Sequence, residues 1–299
     1  MSRWAAERTA SYIREESDPA RPFFCMMSVF DPHNPYFDHP PGWDAKVDGS
    51  GLRAPVPAGD ALADGYDRYL VEQMRLANAY PGAREIGDLE RIRIAYHASV
   101  AFLDEQVGKV LAALEERGIA RDTMVIFVSD HGDMLGDHGL FVKGAFFYEA
   151  CVRVPLLIRY PGRIPAGLKV RHLVQPHQLA ATILEAAGCP RSELERLLPE
   201  SASLFGALDD RPADGDETVI CTYHESGTPY QEEMFVRYAA RMKEQGLWNA
   251  GRADRLRLPL HASMIRRGRY KLNIWHPAHA PVVAALTDAL EAHWRSGRS

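Results

Sequence analysis

Residues 123–139 read TMVIFVSDHGDMLGDHG, and this stretch decides the architecture. Its first six residues are short, β-branched and apolar, the pattern of a strand buried on both faces. A polar, glycine-bearing string follows at once, so the strand delivers Asp130 and His131 at its carboxyl end. In open α/β sheets ligands gather at the carboxyl ends of strands, which makes this a natural place for a site. Having left the alternating geometry of a strand, an adjacent carboxylate and imidazole followed by Gly132 can both turn toward one cation. The bland alternative is an Asp capping the loop and a His satisfying a nearby carbonyl.

Upstream, Asp88 supplies a helix N-cap, and Leu89, Ile92, Tyr96, Val100, Leu103, Val107, Leu111 and Leu114 recur at spacings of three and four up to a stop at Gly118. Further upstream, residues 21–30 (RPFFCMMSVF) form an apolar run bounded by Pro22 and by Asp31-Pro32, which reads as another strand buried on both faces. Downstream, residues 154–158 form a further strand and residues 177–187 a helix closing at Gly188. The order strand, helix, strand, strand, helix indicates an α/β layered fold. Residues 31–87 are broken by Pro, Gly and Asp, with room for a short helix over 69–80, and a loop of that length is usually functional or disordered.

The texture changes after Pro190, where an acidic stretch (DDRPADGDE) precedes a strand over 218–223. Residues 264–266 and 270–275, separated by RGR, read as an antiparallel hairpin, with helices over 230–245 and 282–294. The expected division is an α/β unit over 1–200 and a small α+β subdomain with an antiparallel sheet over 201–299.

With 46% hydrophobic and 25% charged residues, a chain of 299 residues can bury a sizeable core, so wholesale disorder is excluded. Thirty-five Lys and Arg against forty Asp and Glu give a net charge of -5, which lacks the footprint of a nucleic-acid coat; any anionic ligand must be met by local cations. Cys25, Cys151, Cys189 and Cys221 lie far apart, without a CxxC pair, and read as buried free thiols. No apolar run reaches the length of a signal peptide or a membrane span, so the chain as written reads as cytoplasmic, although a longer parent could be exported.

From Ser129 the chain runs SDHGDMLGDHGLFVKGAFFYEACVRVPLLIRYPGR, and this run resembles the formylglycine-dependent sulfatases of the alkaline-phosphatase superfamily, together with their relatives the phosphonate monoester hydrolases. Three further segments carry the resemblance in the right order: PFFCMMSVFDPHNPY from Pro22, AYHASVAFLDEQVGKVLAALEERG from Ala95 and MIRRGRYKL from Met264. The resemblance implies an alkaline-phosphatase-like layered sheet with helices on both faces, incomplete here. It implies that Asp130 and His131 are metal ligands, that Lys143 contacts the charged oxygens of an ester, and that His33 faces the leaving group. Chemistry suits each role: a divalent cation withdraws charge from a sulfuryl or phosphoryl group, an ammonium stabilises its oxygens, and an imidazole near neutrality can protonate a departing oxygen. His138, in the second Asp-His pair, is the weaker candidate because that pair chiefly shapes the loop, and His39 and His224 are candidates for lining the pocket.

The implied activity is hydrolysis of a small-molecule sulfate ester, with a phosphonate or phosphate ester as the nearest alternative and a catalytically inactive remnant that acts as a binding protein as the rival. No nucleic-acid or membrane partner is expected, and an oligomer is compatible with the sequence. The family makes its formylglycine from the Cys or Ser of a C-x-P-x-R type motif. None of the four cysteines stands in one, so no formylglycine is expected in this chain, and the paired aspartates that the family supplies to its metal from a first strand are also missing. One carboxylate and one imidazole fall well short of the six to eight oxygens that calcium prefers, while His131 leans toward manganese or another transition ion. Missing strands would leave sheet edges and apolar surface uncovered. Residues 230–260, rich in aromatic and basic side chains, are expected to form a helical insertion leaning over the pocket.

Overall fold

The computed structural model of the chain describes residues 1–57, 86–144, 147–208, 217–224, 240, 243 and 261–276. The expected helix over 282–294, most of that over 230–245, the short helix over 69–80 and the lid over 230–260 fall outside these residues, apart from Ala240 and Lys243. No described helix is long and apolar enough to cross a membrane.

Two helices that run in the same direction build the first layer, with Arg3 at Phe102, Ala10 at Ala113 and Arg14 at Glu116. Helix α1 (Ser2–Ser11) runs into a π turn at Tyr12–Glu16, and it buries Ser2, Ala6 and Ala10. Helix α2 (Ile86–Glu116) starts two residues before Asp88 and stops at Gly118, whose φ of 74° is the left-handed conformation a helix terminus uses. The face α2 buries is rotated from the expected one: Ile92, Leu103 and Leu114 are inside, but so are Ala95, Ala98, Phe102, Gln106 and Ala113, while Val100 is exposed. The cause is close helix packing, because Ala10 and Ile13 lie on Ala113 and Leu114, and only small side chains let two helices approach so far. Buried Gln106 is satisfied by accepting from the Lys109 ammonium at 2.8 Å and donating to the Phe102 carbonyl at 3.3 Å.

Strand β1 (Val125–Val128) pairs antiparallel with β2 (Leu156–Arg159), Val125 opposite Arg159 and Val128 opposite Leu156. Between them lies the one-turn helix α3 (Glu149–Val152); beyond them come α4 (Gln178–Ala186) and α5 (Arg191–Leu197), the latter not anticipated from the sequence. The expected hairpin is present as β4 (His261–Arg267) and β5 (Tyr270–His276), and β3 (Thr218–His224) pairs with β4, giving an antiparallel sheet of order β3-β4-β5.

Residues 21–30 depart from expectation. They form no assigned strand and carry no ladder, and Phe24 and Met26 are 72% and 76% exposed. A strand buried on both faces exists only between paired neighbours, and no described strand pairs with this segment. Cys25 is consequently exposed, whereas Cys151 is buried as expected.

The small sheet is tied to the segment after Lys143. Met134, Leu140, Phe147 and Cys151 share one apolar cluster with Ala262 and Met264. The Lys271 ammonium donates to the Phe147 carbonyl and, at 3.1 Å, to Glu149, whose carboxylate also meets the Arg266 guanidinium at 3.3 Å. Burial pushes the Glu149 carboxyl up, but Lys271, Arg266 and Arg153 together outweigh it and hold it below the usual range. A depressed carboxyl stabilises the fold above its unfolded pKa, and the contribution is lost as pH falls through the folded value. Glu149→Gln is therefore expected to cost about 1 kcal/mol at neutral pH, small because the pair is half exposed. In urea titrations the variant and parent should converge below about pH 4; a constant difference across pH would remove the ion pair as its cause.

Candidate active site

The chain leaves β1 at Ser129, whose hydroxyl donates to the His131 carbonyl at 2.7 Å and folds the backbone over on itself. The turn needs Gly132: its N–H donates to the Cys151 carbonyl at 2.8 Å, and a Cβ there would lie 1.9 Å from the Ala150 carbonyl oxygen. The loop then closes through backbone bonds from Met134 N–H to Val142 C=O at 2.9 Å and from Gly136 N–H to Leu140 C=O at 2.8 Å. Leu135, His138 and Val142 all take positive φ, at 43°, 55° and 51°. For a β-branched residue such as Val142 that is a costly backbone, imposed by the closed loop on the residue just before Lys143.

Asp130 and His131 stand side by side. The Asp130 carboxylate is 86% exposed and lies 3.7 Å from His131 Nε2. The His131 Nδ1–H donates to the Gly132 carbonyl at 3.0 Å, which assigns the proton to Nδ1 and leaves Nε2 as a lone pair facing the carboxylate. Two acceptors facing each other at that distance suit a shared cation, so the pair fits as part of a metal site. It is not a whole one: among the described residues no group of three His, Cys, Asp or Glu could hold a metal ion.

His33 and Lys143, 110 residues apart, meet directly. The His33 Nδ1–H donates to the Asn34 carbonyl at 2.6 Å, which leaves Nε2 to accept from the Lys143 ammonium. Lys143 also donates to Asn34 Oδ1 at 3.3 Å, and the Phe30 ring lies against His33 at 4.5 Å between centroids. The His33 and His131 rings are 6.4 Å apart, so the lysine-histidine pair and the carboxylate-imidazole pair lie side by side. Burial lowers the Lys143 ammonium from its usual value, and the charges of Asp133 and Asp130 oppose that shift.

Two further residues of the quoted segments, Tyr36 and Asp133, meet beside the site, and no local spacing pairs them. The Tyr36 hydroxyl bonds to both Asp133 oxygens at 2.9 and 2.8 Å, and Tyr36 itself packs on Ile92 and Ala95 of α2. Burial raises the Asp133 carboxyl, while Tyr36, the Leu135 N–H and the charges of Lys143 and His131 lower it. Tyr36→Phe takes away the main donor and is expected to cost about 2 kcal/mol. A carboxyl raised further in the folded state loses stability as pH rises through its folded value, so the deficit should grow above the ordinary Asp value of about 3.9. Equal denaturation midpoints for parent and variant at pH 7 would show that the bond carries nothing.

The other candidates are placed elsewhere or used structurally. His138 stacks on Tyr148 at 3.9 Å, its N–H bonds to the Val56 carbonyl at 2.8 Å, and Asp137 accepts from the Val56 N–H, so the second Asp-His pair shapes the loop. His39 is hydrogen-bonded to the Pro40 carbonyl at 3.2 Å and lies 3.5 Å from Asp44; His224 lies in β3 opposite His261. The Cys151 thiol is pushed up to about 12 by burial, which keeps it protonated and unreactive. Residues 17–21, SDPAR, have the spacing of a serine version of the nucleophile motif. Ser17 is nonetheless buried, donates to the Ile13 carbonyl at 2.9 Å, and has its own carbonyl held by Arg117. Arg117 and the Tyr36 contact at Ala95 are 22 residues apart along α2 and its end, about 33 Å at 1.5 Å per residue, which removes Ser17 from the pocket.

The family model of sulfatases matches residues 4–189. The arylsulfatase of Clostridium perfringens is 32% identical over 187 residues, 62% of this chain and 37% of the relative. The choline-sulfatase of Rhizobium meliloti is 35% identical over 193 residues, 64% of this chain and 36% of the relative, so the chain spans little more than a third of each. Among solved structures, the phosphonate monoester hydrolase of Agrobacterium radiobacter superposes with a TM-score of 0.63 at 22% identity, covering 98% of this chain and 59% of that one. That likeness shows the alkaline-phosphatase-like α/β fold expected from the sequence. The family match covers more than half of the chain and encloses His33, Asp130, His131 and Lys143; the chain belongs to the sulfatase family.

Proposed function

We propose that this chain supplies the leaving-group side and part of the metal side of a site that hydrolyses sulfate esters. One observation carries the reading: Lys143 donates to His33 Nε2 beside the exposed Asp130–His131 pair. Sulfatases in general use a metal ion and a formylglycine nucleophile. When bound, the metal would draw charge from the sulfuryl oxygens, with Asp130 Oδ2 and His131 Nε2 among its ligands.

The remaining chemistry belongs to residues of this chain. The Lys143 ammonium, held by His33 and Asn34, neutralises an anionic ester and the charge that grows on its oxygens. As hydrogen-bonded, His33 Nε2 is an acceptor and cannot itself release a proton. The proton for the departing alcohol oxygen therefore starts on Lys143 and reaches the oxygen either directly or through Nε2, and the lowered Lys143 pKa makes that release easier. Asn34 holds both partners, through its carbonyl to His33 and its amide oxygen to Lys143. The imidazole at position 131 favours manganese or another transition ion over calcium.

The test is a chimera in which residues 4–189 replace their counterpart in the Rhizobium choline-sulfatase. Sulfate release from an aryl sulfate, faster than cleavage of the matching phosphonate monoester and dependent on Lys143, is the expected result. A folded chimera whose turnover is unchanged by loss of Lys143 and His33 would refute the assignment.

A further inference from the structure

The segment that carries His33 is fastened on both sides of it. Two residues before His33, the Asp31 carboxylate accepts from the hydroxyl of Ser2, a fully buried residue of α1. Three residues after it, the Tyr36 hydroxyl bonds to both Asp133 oxygens at 2.9 and 2.8 Å, and the Val142 N–H bonds to the same phenol oxygen. Tyr36 is itself fully buried, stands edge-on to Tyr96 at 6.1 Å and packs on Ile92, Ala95, Leu135 and Val142. Its ring therefore rests on α2 while its hydroxyl grips the loop that follows β1.

That loop carries the groups that face His33. Asp133 lies two residues after His131, and Val142 is the residue before Lys143. The base of the loop is closed by the bond from Met134 N–H to Val142 C=O at 2.9 Å, so one phenol holds both sides of it. The bonds from Lys143 to His33 Nε2 and to Asn34 Oδ1 span the same two segments. A lysine on a flexible four-carbon stem follows a separation of that kind and does not set it. A buried tyrosine ring wedged on a helix does set it.

We propose that Tyr36 and Asp133 are positioning residues, whose bond sets the separation between the His33 segment and the loop of His131 and Lys143 and so keeps Lys143 donating to His33 Nε2. Both act through that pair. A misplacement of about 1 Å can cost about a hundredfold in rate, so loss of the tether should appear in kcat and leave KM in place. The kinetic consequence rests on the reaction proposed above; the geometric one does not. A bond that served stability alone would change the folded fraction and leave the Lys143–His33 contact of the folded molecules intact.

Nitrogen NMR of the 299-residue chain, isotopically labelled at its 12 histidines and assigned at His33 through His33→Gln, reads the contact without any catalysis. With the imidazole neutral, His33 Nε2 should show the shift of a hydrogen-bonded acceptor in the parent and of a free acceptor in Tyr36→Phe. Asp133→Asn keeps an acceptor oxygen for the phenol and should retain the parent signal. The double variant Tyr36→Phe/Asp133→Leu leaves no unpaired carboxylate, so it should regain most of the denaturation midpoint yet still show the free acceptor, and it stands in for the single variant if that one unfolds. In the choline-sulfatase chimera, Tyr36→Phe and the double variant should both lower kcat at least about tenfold with KM within about twofold, while Asp133→Asn stays within about threefold of the parent kcat. A His33 signal that Tyr36→Phe does not move, or that returns with stability in the double variant, overturns the proposal. So does a loss in Asp133→Asn as large as in Tyr36→Phe, which would assign the effect to the carboxylate's charge. Lys143→Ala is run beside them in the chimera. If it slows turnover and Tyr36→Phe does not, the tether is refuted and the reaction stands; if neither slows it, the reaction falls and the kinetic role falls with it.

Discussion

Gly132→Ala is expected to destabilise the fold by about 3–5 kcal/mol, the range of a clash that no side-chain rotation can relieve. The added Cβ would sit 1.9 Å from the Ala150 carbonyl oxygen and 3.0 Å from its carbon, and both are backbone atoms of α3. Relief requires moving α3 away from the loop, which breaks the 2.8 Å bond from Gly132 N–H to Cys151 C=O. It also drags Glu149 off Lys271 and Arg266, so the small sheet loosens with it. Against a typical total of about 5–15 kcal/mol, this is enough to leave much of the chain unfolded at 37 °C. Gly108→Ala supplies the opposite sign: nothing lies within 4 Å of its Cβ and the residue is inside α2, so alanine should stabilise by up to about 1 kcal/mol. Denaturant midpoints that moved equally for both variants would show that close approach is not what position 132 requires.

Legibility followed physical range. The Thr123 strand, its polar exit and the hairpin before Tyr270 are local patterns, set by alternation and by glycine, and the structure places them within a few residues of their expected bounds. Helix α1 was invisible because its buried face is Ser2, Ala6 and Ala10, side chains too small to register as an apolar stripe. The 21–30 segment had the composition of a strand, but a ladder is a property of two segments, and composition cannot supply the partner. For the site, Asp130 and His131 were readable from position at a strand end. His33 and Lys143 came through the family resemblance alone, since no spacing rule joins residues 110 apart. The Tyr36–Asp133 bond was missed although both residues lie in the quoted motifs, because a tyrosine in a proline-rich loop carries no sign of the carboxylate it will meet 97 residues later.

Lys143→Ala in the chimera is expected to slow aryl sulfate turnover by about a hundredfold or more while metal stays bound, the scale of deleting one preorganised charge stabiliser. The variant removes the group that donates to His33 Nε2 and to Asn34 Oδ1, and it leaves the Asp130 and His131 donors in place. Asp130→Ala should behave differently and lose metal and activity together, because it removes the carboxylate of the Asp130–His131 pair. His33→Ala separates charge from proton transfer. If the imidazole passes a proton to the departing oxygen, the loss should be slight for a nitrophenyl sulfate, whose leaving group needs no proton, and about a hundredfold or more for an alkyl sulfate. Burial lowers the Lys143 pKa, so the alkaline limb of the pH profile should fall below the value of about 10.4 for an ordinary lysine and should vanish from the residual activity of Lys143→Ala. Equal losses for good and poor leaving groups would assign His33 to holding Lys143 in place, and an alkaline limb that survives the loss of Lys143 would move the proton to another group.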